Sequence, residues 1–246
     1  MLSFLKKHPF AVEAFFKSSI VFTFAVPKEQ LQPLVPPCLA LDTFKNELAF
    51  IAIAMVNTAQ LRPKGFPVFM GNDFYLIGYR IFVRYKTGAG KRLRGLYILK
   101  SETNRRSMQV LGSIFTQYNY TTTDIAQTIQ GDIIQVKSLQ SGFEVTINTN
   151  DQIARLPATS PFSNWQEARR FAGPLPFTFD YNNNTGEVLM VEGVRQNWIP
   201  QPVSVIEYNF SYLNQLKLSN AVLASAFIIN NIPYWWKKGK VEKWQG

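Results

Sequence analysis

Hydrophobic and polar side chains alternate along most of the chain, and this alternation predicts a protein built mainly of strands. Successive residues of a strand point to opposite faces, so an alternating run indicates a strand with one buried face. The longest such run comprises residues 74–86 and 91–103, which flank a glycine-rich turn. Residues 104–115 follow with the spacing of an amphipathic helix. This hairpin and helix form the centre of the predicted fold.

The turn at residues 88–90 decides how the two long strands pair. A three-residue loop pairs Thr87 with Lys91 and brings Ile81 beside Tyr97, so the apolar faces of the two strands coincide. A two-residue loop would set unlike faces against each other. The three-residue loop with a glycine in the left-handed region is therefore the predicted connection.

This register gives the hairpin one mixed face that is a candidate pocket wall. It places Gly78 opposite Lys100 and puts Arg80, Lys100 and Glu102 on the same face. A glycine inside so long a strand is typical of a bulge or a sharp bend, as at the corner of a barrel. Three ionisable side chains beside such a bend are the first place to look for a binding site.

The rest of the chain predicts further strands and short helices. Runs rich in β-branched and aromatic residues indicate strands, while proline or a capping sequence indicates where a helix begins. No repeat and no long linker divides the chain, so we predict a single domain, residues 1–246, of mainly β (α+β) class. Its strands would form a barrel or two highly curved sheets. The predicted helices are 9–17, 27–34 and 163–171, and the predicted strands include 20–26, 48–57, 132–138, 143–149, 177–181, 187–194, 203–213 and 221–230.

Composition narrows the class of protein further. The chain has 246 residues, of which 46% are hydrophobic and 17% charged, enough for one large β domain or two small ones, and the lack of a linker favours one. The apolar runs 49–56 and 221–229 are too short to span a membrane. Glu13 and Lys17 interrupt the N-terminal apolar stretch, which argues against a signal peptide. The single cysteine, Cys38, excludes an internal disulfide and predicts a small buried thiol. We therefore expect a cytoplasmic protein.

The charge of the chain raises the question of an anionic partner. The net charge is +10, with basic residues gathered at 86–94, at 105–106 and at 237–240. No nucleic-acid-binding motif accompanies them, so no nucleic-acid partner is predicted. The one histidine, His8, is expected to lie in solvent near the terminus. With one histidine and one cysteine, the chain lacks the ligands for a zinc site built on these residues, and a Ser-His-Asp triad is not predicted. The sequence predicts no metal and no cofactor, and it leaves the oligomeric state open.

Short motifs between about residues 18 and 204 occur in an order that resembles a known family. In that order they resemble the YqjF-like proteins, an uncharacterised bacterial family related to acetoacetate decarboxylase. The resemblance implies the decarboxylase-like fold, a closed β-barrel of antiparallel strands with three or four peripheral helices and a central cavity. The motifs are Val26-Pro27, Leu31, Leu34-Val35-Pro36, Leu39, Leu41-Asp42-Thr43, Phe74, Arg80, Phe82-Val83, Gly95-Leu96-Tyr97, the helix 165–171, and Trp198 with Pro200.

The resemblance also implies a test for decarboxylase chemistry. The related enzymes form a Schiff base on a lysine whose pKa is lowered by a neighbouring lysine. That pair follows the helix after the second long strand, where this chain has Tyr118-Asn119-Tyr120. No lysine or arginine occurs between Arg106 and Lys137, and the acidic residue that the enzymes carry on an earlier strand corresponds to Ile51. Acetoacetate decarboxylase activity is therefore not predicted.

What remains is a cavity without the family's chemistry. The first hypothesis is a binding protein for a small apolar molecule, with a carboxylate as one option for its polar end, held by Arg80 or Lys100. No catalytic residue is assigned. The alternatives are a surface charge network for the ionisable candidates and plain core packing for the aromatic ones. The candidate ligand-binding residues are Arg80, Lys100, Glu102, Tyr118, Tyr120 and Trp198.

Two further functional hypotheses stay open on the sequence alone. In one, the protein is an enzyme of unknown reaction that uses Lys100 as an amine nucleophile or Glu102 as a general acid or base, since burial lowers the pKa of a lysine. In the other, the basic hairpin tip at residues 86–94 is a surface module for an anionic partner.

Overall fold

A computed structural model describes residues 6–116, 118–150, 152, 155–172 and 175–245. In these residues the fold is mainly β with four helices, as the sequence predicts. Short 3-10 turns, Gln32–Leu34 and Val68–Met70 among them, accompany these elements. The strands are β1 (Val12–Pro27), β2 (Ala40–Leu41), β3 (Leu48–Pro63), β4 (Asn72–Lys86), β5 (Arg92–Thr103), β6 (Tyr120–Thr122), β7 (Ala126–Gln130), β8 (Ile133–Ser138), β9 (Phe143–Asn148), β10 (Phe177–Asn182), β11 (Glu187–Arg195), β12 (Gln201–Pro202), β13 (Ser204–Phe210), β14 (Val222–Trp236) and β15 (Lys240–Lys243), and the helices are α1 (Lys28–Leu31), α2 (Arg106–Phe115), α3 (Trp165–Ala172) and α4 (Ser211–Gln215).

The larger sheet closes on itself through its strand pairings. Its order is β14-β1-β3-β4-β5-β10-β11, and β11 pairs again with β14. Most of these pairs are antiparallel, but β10 and β6 each pair with β5 in parallel. The prediction of antiparallel strands is therefore wrong at these two pairs. The segment between β5 and β10 contains two helices and four strands, a connection long enough for a parallel return.

The first strand replaces a predicted helix. The sequence pattern favours a helix over residues 9–17, but β1 begins at Val12, so that prediction is wrong from residue 12 onward. Along its length β1 pairs with β14 on one side and β3 on the other. Val12, for example, lies between Trp236 and Pro63. Pairing on both edges outweighs a local helical pattern, because strand preference is set mainly by neighbours.

A second sheet covers one face of the ring of strands. It is antiparallel in the order β13-β9-β8-β7. The largest hydrophobic core lies between the two sheets, where Phe22 and Phe24 of β1 each make edge-to-face contacts with Phe210 of β13. Cys38 is buried in this core, as predicted, and burial raises the pKa of its thiol to about 11. The opposite face of the ring is available for a cavity.

A buried ion triad fixes the short strand β2 to the long hairpin. Asp42 is fully buried and accepts hydrogen bonds from Arg84 Nε at 2.5 Å and Arg94 Nε at 2.6 Å. A carboxylate can be buried in this way because both of its oxygens meet a guanidinium. Arg94, one of the basic residues of the predicted surface module at 86–94, is therefore an internal partner.

Asp180 on β10 is a largely buried carboxyl group. Its Oδ2 atom has no hydrogen-bond partner among the described residues. Burial raises the pKa of Asp180 to about 6, against the opposing effects of a hydrogen bond from the Tyr181 backbone and of the Lys6 charge. In the unfolded chain an aspartate has a pKa of about 3.9. Between about pH 4 and pH 6, the folded protein therefore keeps a proton that the unfolded chain has already released.

This carboxyl group predicts a pH-dependent stability. The stabilising proton is fully present below about pH 4 and is lost as the pH rises through about 6, at a cost of about 3 kcal/mol. We expect Asp180→Asn to raise the free energy of unfolding by about 3 kcal/mol at about pH 7.5 and to leave it nearly unchanged at about pH 4. Urea unfolding at both pH values measures this difference. An equal effect at the two pH values would contradict it.

Candidate functional site

A cavity of about 380 Å³ lies on the face of the ring opposite the second sheet. Every strand of the ring contributes side chains to its wall, and α2 adds Met108 and Leu111. Small residues on neighbouring strands, such as Ser19, Ala52 and Ala54, leave the volume open. The size falls in the range of small-molecule binding sites, and the described wall is mostly apolar, with few charged groups.

Arg80 is the cationic group on β4 that faces this cavity. Its Nε atom is buried and has no hydrogen-bond partner, and no described carboxylate forms an ion pair with it. Its guanidinium lies against the backbone of Gly78, where an added Cβ would be only 2.9 Å from Nε. Burial lowers the pKa of Arg80. An arginine remains charged even so, and a buried unpaired charge is costly. The position therefore calls for an anion.

Tyrosines surround Arg80 in the cavity wall. Tyr118, Tyr120 and Tyr234 all line the cavity and all act electrostatically on the arginine. Burial raises the pKa of Tyr118 far above its usual range and the pKa of Tyr120 to about 12. These two phenols are therefore neutral hydrogen-bond donors at physiological pH. Beside the guanidinium they form a polar end within an otherwise apolar space.

Two glycines make room for the tyrosine rings. A Cβ at Gly112 of α2 would lie 2.9 Å from Tyr120 Cγ, and a Cβ at Gly193 of β11 would lie 2.8 Å from Tyr234 Cζ. Any larger residue at either position would push the ring away. Gly112 and Gly193 thus allow the two tyrosine rings to occupy their positions at the polar end of the cavity.

A second arginine stands at the wall formed by β11. Arg195 Nη2 donates to the Leu175 carbonyl at 3.0 Å, and the guanidinium lies 4.6 Å from the Trp198 ring and 5.5 Å from the Tyr234 ring. Burial lowers the pKa of Arg195. These contacts occupy Arg195 with the protein itself. Trp198, one of the candidate ligand-binding residues, lines the cavity as part of this group.

Lys100 and Glu102 lie on the opposite face of β5 from the one predicted. The β4–β5 pairing follows the predicted register up to Arg80 and then shifts by one residue, so that Tyr79 pairs with Lys100. Leu99 is the extra residue of this bulge. One extra residue reverses the alternation beyond it, so the two ionisable side chains turn away from Arg80. The prediction that all three share one face is wrong.

These two side chains form an ion pair outside the cavity. Lys100 Nζ lies 2.7 Å from Glu102 Oε1 and 4.9 Å from the Tyr212 ring, and Glu102 is almost fully buried. Neither residue is among the described residues that line the cavity. The structure therefore brings together four of the six candidates, Arg80, Tyr118, Tyr120 and Trp198, and separates the other two.

The cavity also contains residues that the sequence did not identify. Arg195, Tyr234 and His8 all line it. Burial lowers the pKa of His8, whose side chain lies inside the protein, so the prediction of a solvated histidine is wrong. The His8 carbonyl accepts a hydrogen bond from Gly239 N at 2.8 Å, which ties the N-terminal segment down. No local sequence pattern indicated that these three residues line a cavity.

Neither a metal-ligating cluster nor a membrane-spanning helix occurs among the described residues. No group of three or more histidine, cysteine, aspartate or glutamate side chains converges there in a way that could hold a metal ion. None of the helices in the described part of the chain has the length and apolar character needed to cross a bilayer. Within the described cavity wall the cationic side chains are arginines and no lysine is present.

Comparison with known proteins identifies the family and the fold of the chain. The model of a family described as DUF2071, uncharacterised conserved protein, matches residues 15–241. No curated protein is significantly similar in sequence. Several solved structures share the fold, so the chain has the acetoacetate decarboxylase-like fold, as its sequence motifs predict.

Three of these structures illustrate the similarity. An acetoacetate decarboxylase from Legionella pneumophila has a TM-score of 0.62 at 12% identity, over 95% of this chain and 88% of that one. The enduracididine biosynthesis enzyme MppR complexed with pyruvate has a TM-score of 0.58 at 8% identity, over 96% and 92%. An acetoacetate decarboxylase-like enzyme from Sphingomonas wittichii has a TM-score of 0.52 at 10% identity, over 97% and 92%.

Proposed function

From the premise that this chain belongs to DUF2071, a family of uncharacterised conserved proteins, we propose that it binds a small apolar carboxylate in its cavity. In this proposal the strand ring closes as a barrel around the ligand. The carboxylate lies against Arg80 and the apolar part of the molecule fills the remaining space. The protein acts as a binding protein and needs no cofactor.

The unpartnered guanidinium of Arg80 carries this proposal. Burial of a charge without a partner destabilises a protein, and such a charge is usually found where a ligand supplies the counterion. A carboxylate in the cavity would lie against the Arg80 guanidinium and would accept further hydrogen bonds from the Tyr118 and Tyr120 hydroxyls. The apolar wall around this end favours an apolar body on the same molecule.

A structural neighbour supports the class of ligand. MppR, which shares the fold, is described as complexed with pyruvate, a small carboxylate. The decarboxylase chemistry of other neighbours is not carried over. Lys100, the candidate amine in the sequence hypothesis, is engaged with Glu102 on the far face of β5. An ammonium held in an ion pair is not the free amine that attacks a carbonyl.

Matched charged and neutral probes test the proposed ligand class. We expect octanoate or 3-phenylpropionate to raise the melting temperature of the protein, since a ligand at 100 times its dissociation constant stabilises the native state by about 2.7 kcal/mol. Octanamide has nearly the same shape without the charge and should bind at least about tenfold more weakly. Thermal unfolding and isothermal titration calorimetry measure both effects. Equal binding of octanoate and octanamide, or no binding of octanoate, 3-phenylpropionate or pyruvate, would overturn the proposal.

A further inference from the structure

The cavity reaches solvent at a rim of exposed apolar side chains. Phe10, Met70 and Leu111 line the cavity and are nevertheless exposed, Met70 by 51%. They come from three separate segments, namely the N-terminal segment, the loop between β3 and β4, and α2. Residues that belong to both the cavity wall and the outer surface lie at its mouth.

Further apolar residues extend this rim outward. Phe66, Val68 and Phe69 belong to the same loop as Met70, and Phe69 is 87% exposed. Val110 and Ile114 lie on α2 beside Leu111 and are also exposed. Of the fourteen exposed large hydrophobic side chains in the described part of the chain, eight belong to these three segments. A concentration of exposed apolar residues at one site indicates a docking surface.

Unpaired cations accompany the apolar rim. Arg106, Val110 and Ile114 follow one another at intervals of four residues, so they share one face of α2. Lys64 opens the β3–β4 loop and lies 5.0 Å from the ring of Trp235. Within the described residues neither Lys64 nor Arg106 forms an ion pair. Tryptophan, lysine and arginine beside exposed aliphatic and aromatic side chains are typical of surfaces that sit at a lipid–water interface.

We propose that the mouth of the cavity docks on an anionic lipid bilayer. The loop at residues 64–71 inserts Phe69 and Val68 into the headgroup region, α2 lies along the surface, and Lys64 and Arg106 contact lipid phosphates. The charge of +10 favours an anionic membrane over a neutral one. The proposal goes beyond the ligand-binding function and does not depend on it, because docking uses none of the groups around Arg80.

A second copy of the chain is the competing occupant of this surface. The cations argue against it, because a two-fold interface would bring each patch of like charge close to its own copy. The two occupants are also separable by experiment, since only a bilayer makes binding depend on lipid charge. Light scattering of the protein in solution reports self-association directly.

Vesicle co-sedimentation of the full chain tests the proposal. We expect the protein to pellet with phosphatidylcholine vesicles that contain about 30% phosphatidylglycerol and to bind pure phosphatidylcholine much more weakly. Phe69→Ser should weaken binding at least about tenfold, and Lys64→Gln or Arg106→Gln about fivefold each. Phe69, Lys64 and Arg106 are exposed, so these variants should keep the thermal unfolding of the parent.

Two controls make the outcome unambiguous. Leu139 is an apolar residue 75% exposed in the turn between β8 and β9, away from the mouth, so Leu139→Ser should leave vesicle binding unchanged. Arg80→Met, which removes the proposed ligand anchor, should also leave it unchanged. Absence of pelleting, equal loss with Leu139→Ser, or a dimer in solution that Phe69→Ser dissociates would each overturn the docking proposal without touching the ligand proposal.

Discussion

Replacing Arg80 with methionine should weaken carboxylate binding strongly while making the protein more stable. The loss in affinity for octanoate should be about 30-fold or more, because a hydrogen bond to a charged group contributes about 1.5–3 kcal/mol. Methionine fills a similar volume beside Gly78 and removes a buried, unpaired cation. The free energy of unfolding should therefore rise by about 1–2 kcal/mol. Calorimetric titration and urea unfolding measure the two quantities.

A second arginine provides the control for this prediction. Arg92, on the adjacent strand, is exposed and has no described ion pair, so Arg92→Met should change neither affinity nor stability appreciably. Opposite signs for binding and stability at Arg80 are the signature of a functional group held at a structural cost. If Arg80→Met lowers stability and leaves octanoate binding intact, Arg80 is a structural residue and the proposed function fails.

The local geometry of the long hairpin could be predicted because its turn chemistry is strict. Thr87 and Lys91 pair across the predicted three-residue loop, and Gly90 has the positive φ that such a loop requires. Ile81 and Tyr97 pair as expected. Each of these predictions rests on residues within a few positions of the turn, where the alternation of side chains leaves one acceptable register.

The composition of the site could not be predicted in the same way. A single bulge at Leu99 reverses the face of every residue beyond it, and it separated Lys100 and Glu102 from Arg80. The sequence carried a hint, because Gly78 in a long strand is typical of a bulge, but glycine does not say which strand takes the extra residue. Arg195 and Tyr234 enter the cavity through pairings across about 40 residues, which leave no local pattern.

Ring closure also depends on contacts that no local pattern records. The parallel seam between β5 and β10 pairs three residues on each strand, beginning with Gly95 and Phe177. Gly95 belongs to one of the motifs that resemble the YqjF-like family. At this position the two backbones approach so closely that an added Cβ would be 2.8 Å from the carbonyl carbon of Phe177 and 2.6 Å from the Phe179 ring. Glycine is therefore the residue that permits the seam.

Gly95→Ala should consequently destabilise the protein severely, although the substitution adds only one methyl group. The methyl group would overlap the backbone of β10, which cannot rotate away as a side chain can, so the seam must open or shift. We expect a loss of about 3 kcal/mol in the free energy of unfolding and a fall of about 6–12 °C in the melting temperature. Octanoate binding should weaken as well, since Leu96 and Thr178 line the cavity at the same seam.

Another glycine on the same hairpin separates this effect from a general intolerance of alanine. A Cβ at Gly88 would meet only the carboxylate of Glu242, the mobile end of a side chain, so Gly88→Ala should cost less than about 1 kcal/mol. Denaturant unfolding of the two variants gives the comparison. Similar small losses in both would mean that β5 and β10 adjust easily, and the cavity would then be enclosed by a flexible seam instead of a fixed ring of strands.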